Sequence, residues 1–316
     1  MVYLFRMKKA SYLLLTVLFF IPGFSCFARQ PGSLKVAGIQ FEITADKYSS
    51  EEKFFNSIEA EIRGAVDEYG SLDLIVFPEY VGVFFQLIEY RHIWESERSF
   101  EAALLKVLGS DSELKRPSDI FLRPKRWEAY LKGWSKLADK YSVGLLAGSC
   151  FVEGGTGGLR NRLHLFDSDG SLIYSQDKVF LTEFETEVIG LEPGSLDGAG
   201  GVELNGRRVV FTICRDTYSR SWEELYGGAF LWIDIKANGE VYDRAQQRSF
   251  LRALPLRMQF TDVDFGMTVC SVGSFLDLFW EGESSLLERR DDGVRFISAA
   301  GEYRKPARIY LSTTGR

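Results

Sequence analysis

The chain has 316 residues, 46% hydrophobic and 26% charged, a make-up that excludes a disordered or low-complexity protein. Its formal net charge of -6, with arginine and lysine scattered rather than gathered into a stripe, gives no basis for nucleic-acid binding. The only histidines are His92 and His164, so a histidine-rich metal site is excluded as well.

The first segment differs from the rest. MVYLFRMKK is basic and leads into ASYLLLTVLFFIPGFSCFA, which is apolar and ends in small residues, the form of an export signal. Residues 1–28 are therefore expected to be an export signal cleaved after Ala28, or an uncleaved N-terminal membrane anchor. Either places the protein outside the cytoplasm: periplasmic, extracellular or tethered to the membrane. Cys26 is a candidate for lipid attachment, although Gly23-Phe24-Ser25 matches the usual lipobox poorly. No linker divides residues 29–316, which read as a single domain. Removal of Cys26 leaves three cysteines, an odd number, so at least one thiol is unpaired.

LKVAGIQFE (34–42) is a strand candidate, and Phe54, Ile58, Ile62 and Val66 mark one face of a helix over 50–69, capped by Ser49 or Ser50. LDLIVF (72–77) is nearly continuous in apolar residues, as in a strand buried on both faces. An aromatic-rich segment over 84–130 reads either as a lid over a cleft or as extra helices packed outside. A second helix follows over 123–141 and a strand over 142–153. Gly154–Gly158 and Asp167–Gly170 then mark hairpin turns; no helix or GK[ST] follows the first, which excludes a phosphate loop. Later come the strand RRVVFTIC (207–214), a helix over 220–227, the strand AFLWIDIKA, a helix over 246–261, the strand FGMTVCSVG and a polar turn ERRDDGV. Helices alternating with apolar strands, with hairpins between them, give a mixed α/β layered domain.

Three reactive side chains stand where apolar runs stop: Glu79 in VFPEY, Lys178 in SQDKVFL and Cys214 in FTICRDTY. Singly, each has an ordinary structural reading. Together they form a chemical set, because a thiol nucleophile needs a base to take its proton and a cation to meet the oxyanion it creates. His164 in RLHLF could pair with Cys214 but reads as a structural strand histidine. Cys150 and Cys270 lie in apolar strands and read as core residues, with no sequence evidence for or against a disulfide between them.

In this order, VFPEY, DKVFLTEFE and ICRD in a chain opening on a VAGIQ strand resemble the carbon-nitrogen hydrolases of the nitrilase superfamily. RNRLHLFDSDGSLIYSQDK is similar to that family's hairpin leading to its lysine, and NGRRVVFTICRD to its strand leading to the nucleophile. The resemblance runs from about Leu34 to Ala300. It implies an α/β fold, a four-layer αββα sandwich, and a Glu-Lys-Cys triad. Carried onto this chain, Glu79 is the general base, Lys178 stabilises the transition state and Cys214 is the nucleophile. A second acid is expected near the lysine. Glu185 fits the family spacing, but Glu183 and Glu187 would share its face if the segment were a strand. The resemblance also implies amide or nitrile hydrolysis through a thioester without metal or organic cofactor, an oxyanion met by Lys178 and the Arg215 N–H, and a homodimer.

Arg215 departs from the family, which commonly has an aromatic residue there. It is expected to pair with Asp216 or another acid, or to meet an anionic substrate group. Acyl transfer to an amine, using the same triad, and a non-catalytic binding protein on the same fold are the competing readings. The triad positions, standing at strand ends, are expected to tolerate Cys214→Ala, Lys178→Ala and Glu79→Gln without loss of fold.

Overall fold

The computed structural model describes residues 32–155 and 157–313. The export segment, its cleavage point and Cys26 lie outside the described residues. Among the described residues no helix is long and apolar enough to cross a membrane.

The chain opens with β1 (Lys35–Gln40), β2 (Glu42–Thr44), α1 (Glu51–Tyr69) and β3 (Leu74–Phe77). Ser50 caps α1, its hydroxyl accepting from the Lys53 N–H, while Glu51 and Glu52 complement the helix dipole. The face predicted from spacing is the buried one: Phe54, Ile58 and Ile62 are inaccessible, each contributing roughly 1.5–3 kcal/mol by leaving water. Next come α2 (Arg91–Trp94), α3 (Phe100–Ser110), α4 (Pro124–Tyr141), β4 (Gly144–Glu153), β5 (Leu159–Phe166) and β6 (Leu172–Asp177). The second half runs β7 (Val202–Leu204), β8 (Arg207–Ile213), α5 (Ser221–Tyr226), β9 (Leu231–Lys236), α6 (Arg244–Leu251), α7 (Leu254–Gln259) and β10 (Phe265–Cys270). It closes with β11 (Val272–Phe275), β12 (Leu278–Trp280), β13 (Ser285–Arg290), β14 (Gly293–Ala299) and β15 (Ala307–Ser312).

Among the described residues these strands form two six-stranded sheets, ordered β15-β1-β3-β4-β5-β6 and β14-β13-β10-β9-β8-β7, and a small sheet β12-β11-β2. Each large sheet has a parallel centre and antiparallel flanks. Side-chain alternation explains the layering. Val36, Leu74 and Val76 meet Phe211, Ile213, Ile233 and Val269 of the other sheet in one cluster, while Ile39, Ile75 and Phe77 on the opposite face pack with Phe54, Ile58 and Trp134. Val210 and Trp232, on the outer face of the second sheet, pack with Trp222, Tyr226, Leu254 and Met258. The result is the expected four-layer αββα sandwich, and it explains why LDLIVF lacks alternation: both its faces are covered.

The single helix expected over 246–261 is two helices, because Pro255 opens α7 and cannot continue the hydrogen bonding of α6. FGMTVCSVG likewise splits between β10 and β11, which belong to different sheets. The segment 84–130 packs outward as short helices, its Phe84, Phe85, Phe100 and Phe121 buried in the helix-side cluster. Cys150, Cys214 and Cys270 are all free thiols.

Candidate active site

Glu79, Lys178 and Cys214 each follow the last residues of a strand, β3, β6 and β8 respectively, and the layering brings these three ends together. The Lys178 ammonium lies 2.8 Å from Glu79 Oε1 and 2.8 Å from Glu185 Oε2. Glu79 and Glu185 are inaccessible and Lys178 is 1% exposed. The three expected glutamates are not on a strand. Residues 184–189 wind as a π-helix, which turns Glu185 inward and leaves Glu183 and Glu187 exposed. Thr182 donates its N–H and hydroxyl to Glu185 Oε2, at 2.9 and 3.1 Å.

Asn161 joins the two acids. Its amide donates to Glu79 Oε1 at 3.0 Å and to Glu185 Oε1 at 2.8 Å, while its main-chain carbonyl accepts from the Lys178 N–H at 2.8 Å. Sequence reasoning missed it. The available signal was an asparagine in mid-strand, where a buried amide needs partners.

The electrostatics follow from this burial. Removal from water pushes the Glu79 carboxyl up, partly offset by Lys178. Burial acts likewise on Glu185, but the Lys178 charge together with hydrogen bonds from Lys178, Thr182 and Asn161 outweighs it and holds that carboxyl below its ordinary value. For Lys178, burial disfavours the charge and two carboxylates more than restore it, so the ammonium persists above the ordinary lysine range. Burial and the Glu79 charge push the Cys214 thiol up to about 12, so the resting sulfur keeps its proton.

Two turns at this site are in strained backbone. Cys214 has φ 52° and Tyr80, next to Glu79, φ 68°, both in the left-handed region that L residues avoid. The strain at Tyr80 is held by β4, where Ser149 Oγ accepts the Tyr80 N–H at 3.1 Å and the Ser149 carbonyl accepts the Gly82 N–H at 2.9 Å. The preceding Gly148 (φ 66°) sits at a bulge in β4, and a Cβ there would overlap the Pro78 carbonyl oxygen. Gly148→Ala is expected to lower unfolding free energy by about 2 kcal/mol or more and to cut turnover more than tenfold by moving Glu79. Denaturant melts and a rate assay check this; a variant with wild-type stability would show that the bulge does not hold the turn.

Asp216 does not pair with Arg215. It is inaccessible, and its two oxygens accept N–H groups from Val179 (3.0 Å), Phe180 (2.8 Å) and Ile213 (3.2 Å), tying the lysine segment to the Cys214 turn. Arg215 is exposed and has no ion-pair partner among the described residues; it faces a cavity of about 500 Å³ over Cys214. Residues 182–184, 237–240 and 277–280 supply most of the remaining wall, and none comes from 84–130, so the aromatic segment is a packing layer and does not line the cavity. His164 is buried on β5, its Nδ1 2.9 Å from Ser175 Oγ, and burial pushes it down to about 3. Among the described residues no group of three or more His, Cys, Asp or Glu side chains is placed to hold a metal ion.

A model of the carbon-nitrogen hydrolase family matches residues 35–221, more than half of the chain. The chain belongs to the carbon-nitrogen hydrolase family. No curated protein sequence matches it. Solved structures of the nitrilase superfamily share its fold. Nit3 of Saccharomyces cerevisiae, a member of branch 10 of that superfamily, superposes with a TM-score of 0.63 at 21% identity, over 89% of this chain and 90% of its own. A carbon-nitrogen hydrolase from Helicobacter pylori G27 gives 0.66 at 16% identity, over 88% of each chain. A double mutant of the amidase from Nesterenkonia sp. AN1, in complex with acrylamide, gives 0.64 at 14% identity, over 89% of this chain and 91% of its own. At such identities the carbon-nitrogen hydrolase fold is what these structures share with this chain.

Proposed function

We propose that this carbon-nitrogen hydrolase cleaves a non-peptide amide or nitrile through a thioester on Cys214. The observation that carries the reading is the buried Lys178 ammonium, 2.8 Å from both Glu79 and Glu185, at the edge of a cavity that also contains Cys214. Glu79 Oε1 accepts from Lys178 and Asn161, whereas Oε2, among the described residues, accepts only the Ala237 N–H, at 2.8 Å, so one lone pair of Oε2 is left to take the thiol proton.

For an amide, the sulfur forms a bond to the carbonyl carbon as its proton passes to Glu79. The oxyanion is met by the third N–H of Lys178 and by the Arg215 N–H, which lies in the first turn of a short 3-10 helix and so has no intrahelical acceptor. Glu79 then protonates the leaving nitrogen, the C–N bond breaks, and ammonia or an amine departs. Water attacks the thioester while Glu79 takes its proton; the acid leaves and the proton returns to sulfur. Arg215, free of Asp216, meets a carboxylate on the substrate.

Ammonia release over a panel of amides and nitriles, each neutral compound beside a carboxylate-bearing analogue, tests this. Release that vanishes in Cys214→Ala supports the hydrolase; product formed only when an amine is added would make it an acyltransferase, and silence across the panel a binding protein. The pH profile tests the base. Glu79 acts only when ionised, and its carboxyl is raised, so kcat/KM is expected to fall as pH drops through a value above the ordinary carboxylate pKa of about 4.3. No alkaline fall from Lys178 is expected below about pH 10, since its ammonium is held above the usual range. An acid limb below pH ~4 would remove Glu79 from the role.

A further inference from the structure

A second buried ion pair lies beneath the nucleophile, and the triad does not use it. Strands β8 and β9 run parallel with Thr212 opposite Asp234 and Ile213 opposite Ile235, so Lys236 ends its strand beside Cys214. The Lys236 ammonium lies 2.8 Å from Asp234 Oδ2 and donates to the Cys214 carbonyl and to Thr217 Oγ1, both at 3.0 Å. The Thr217 hydroxyl is itself 2.8 Å from that carbonyl and 3.0 Å from Asp234 Oδ2. Asp234 and Thr217 are inaccessible and Lys236 is 2% exposed.

The end of β9 also reaches Glu79 through the main chain. The Ala237 N–H donates to Glu79 Oε2, and the Lys236 carbonyl accepts the Ser271 N–H at 2.8 Å. The Ser271 hydroxyl in turn donates to the Glu79 carbonyl at 2.7 Å. The exit of β9 thus grips the nucleophile by a side chain and the base by its backbone. Stability alone does not account for this, since aliphatic residues of like size commonly replace a buried ion pair without loss.

Resting on the reading of Cys214 as nucleophile, we propose that Lys236 is a positioning residue, which holds the Cys214 turn in its left-handed conformation and sets a second positive charge under the thiol. The titratable groups facing that thiol are Glu79 and Tyr80 after β3, Lys178 after β6, Asp234 and Lys236 on β9, and Cys270 at the end of β10. Burial, then Glu79, raise the thiol; the two lysines pull it back, Lys236 more strongly than Lys178, and the Asp234 charge opposes them less.

Iodoacetamide labelling of Cys214 in the full chain, followed by peptide mass spectrometry from pH 7 to 9, tests this beside steady-state kinetics. Lys236→Met is expected to slow labelling about tenfold at every pH, displacing the rate line by about one unit at unchanged slope, and to lower kcat at least tenfold with KM within threefold. A merely structural role predicts the opposite sign, because a loosened turn exposes the thiol and speeds labelling. Asp234→Asn with Lys236→Met leaves no lone buried charge, so it guards against failure to fold; it is expected to give a smaller displacement in the same direction. Unchanged or faster labelling in the folded variants would overturn the proposal while leaving Cys214 in place. Wild-type protein labelled no faster at Cys214 than at Cys150 or Cys270 would instead remove the nucleophile reading, and this inference with it.

Discussion

Lys178→Met is expected to abolish turnover and also to destabilise the protein by about 3–5 kcal/mol, a size set by what removal of one partner does to a buried ion pair. The side chain is 1% exposed between two inaccessible carboxylates, and its ammonium is the cation that offsets their burial. Without it, Glu79 and Glu185 face each other across the Asn161 amide, and one must take up a proton to remain folded. The expectation that triad positions at strand ends tolerate substitution therefore changes for the lysine: it is core as well as site. Urea unfolding of the variant measures the loss, and Glu79→Gln in the same background is expected to recover part of it by removing one of the opposed charges. A Lys178→Met protein within about 1 kcal/mol of wild type would mean that the two acids find water or another cation, contrary to the geometry.

How much of this was readable in the sequence depends on the distance over which each signal acts. Strand ends are local features: an apolar run that stops at Pro78-Glu79, at Lys178 or at Cys214 is visible within ten residues, so these three positions could be picked out. The helix over 51–69 was legible for the same reason, from its spacing and Ser50 cap. The pairing of Arg215 with Asp216 was a local inference that failed, because the carboxylate is claimed by N–H groups of Val179 and Phe180, more than thirty residues away. Asn161, Ala237 and Ser271 were invisible on the same account, since their contacts to Glu79 span 82, 158 and 192 positions. Periodicity could not separate Glu185 from its neighbours, because the segment was read with the period of a strand and the π-helix has another; only the family spacing singled it out. Asp234 and Lys236 did carry a signal, two opposite charges at period two inside the apolar run LWIDIK, where both must be buried and paired.

Cys214→Gly is expected to lose all but about 0.1% or less of activity and yet to raise the free energy of unfolding by about 1 kcal/mol. Cys214 sits at φ 52°, a conformation with a steric penalty for any residue bearing a Cβ and almost none for glycine. Its thiol faces the cavity and fills no core volume, so little packing is lost with it. What holds a cysteine there is the surrounding network: the Asp216 carboxylate on the Ile213 N–H before the turn, and Thr217 and Lys236 on the Cys214 carbonyl. Those groups fix the turn against its own preference, and the strained turn sets the thiol at the end of β8 on the cavity that Lys178 also lines. Cys214→Ala keeps the Cβ and so keeps the penalty, which makes the difference in stability between the alanine and glycine variants a direct reading of the strain. Equal stabilities would place that turn at rest, and the network would then serve only the electrostatics of the site.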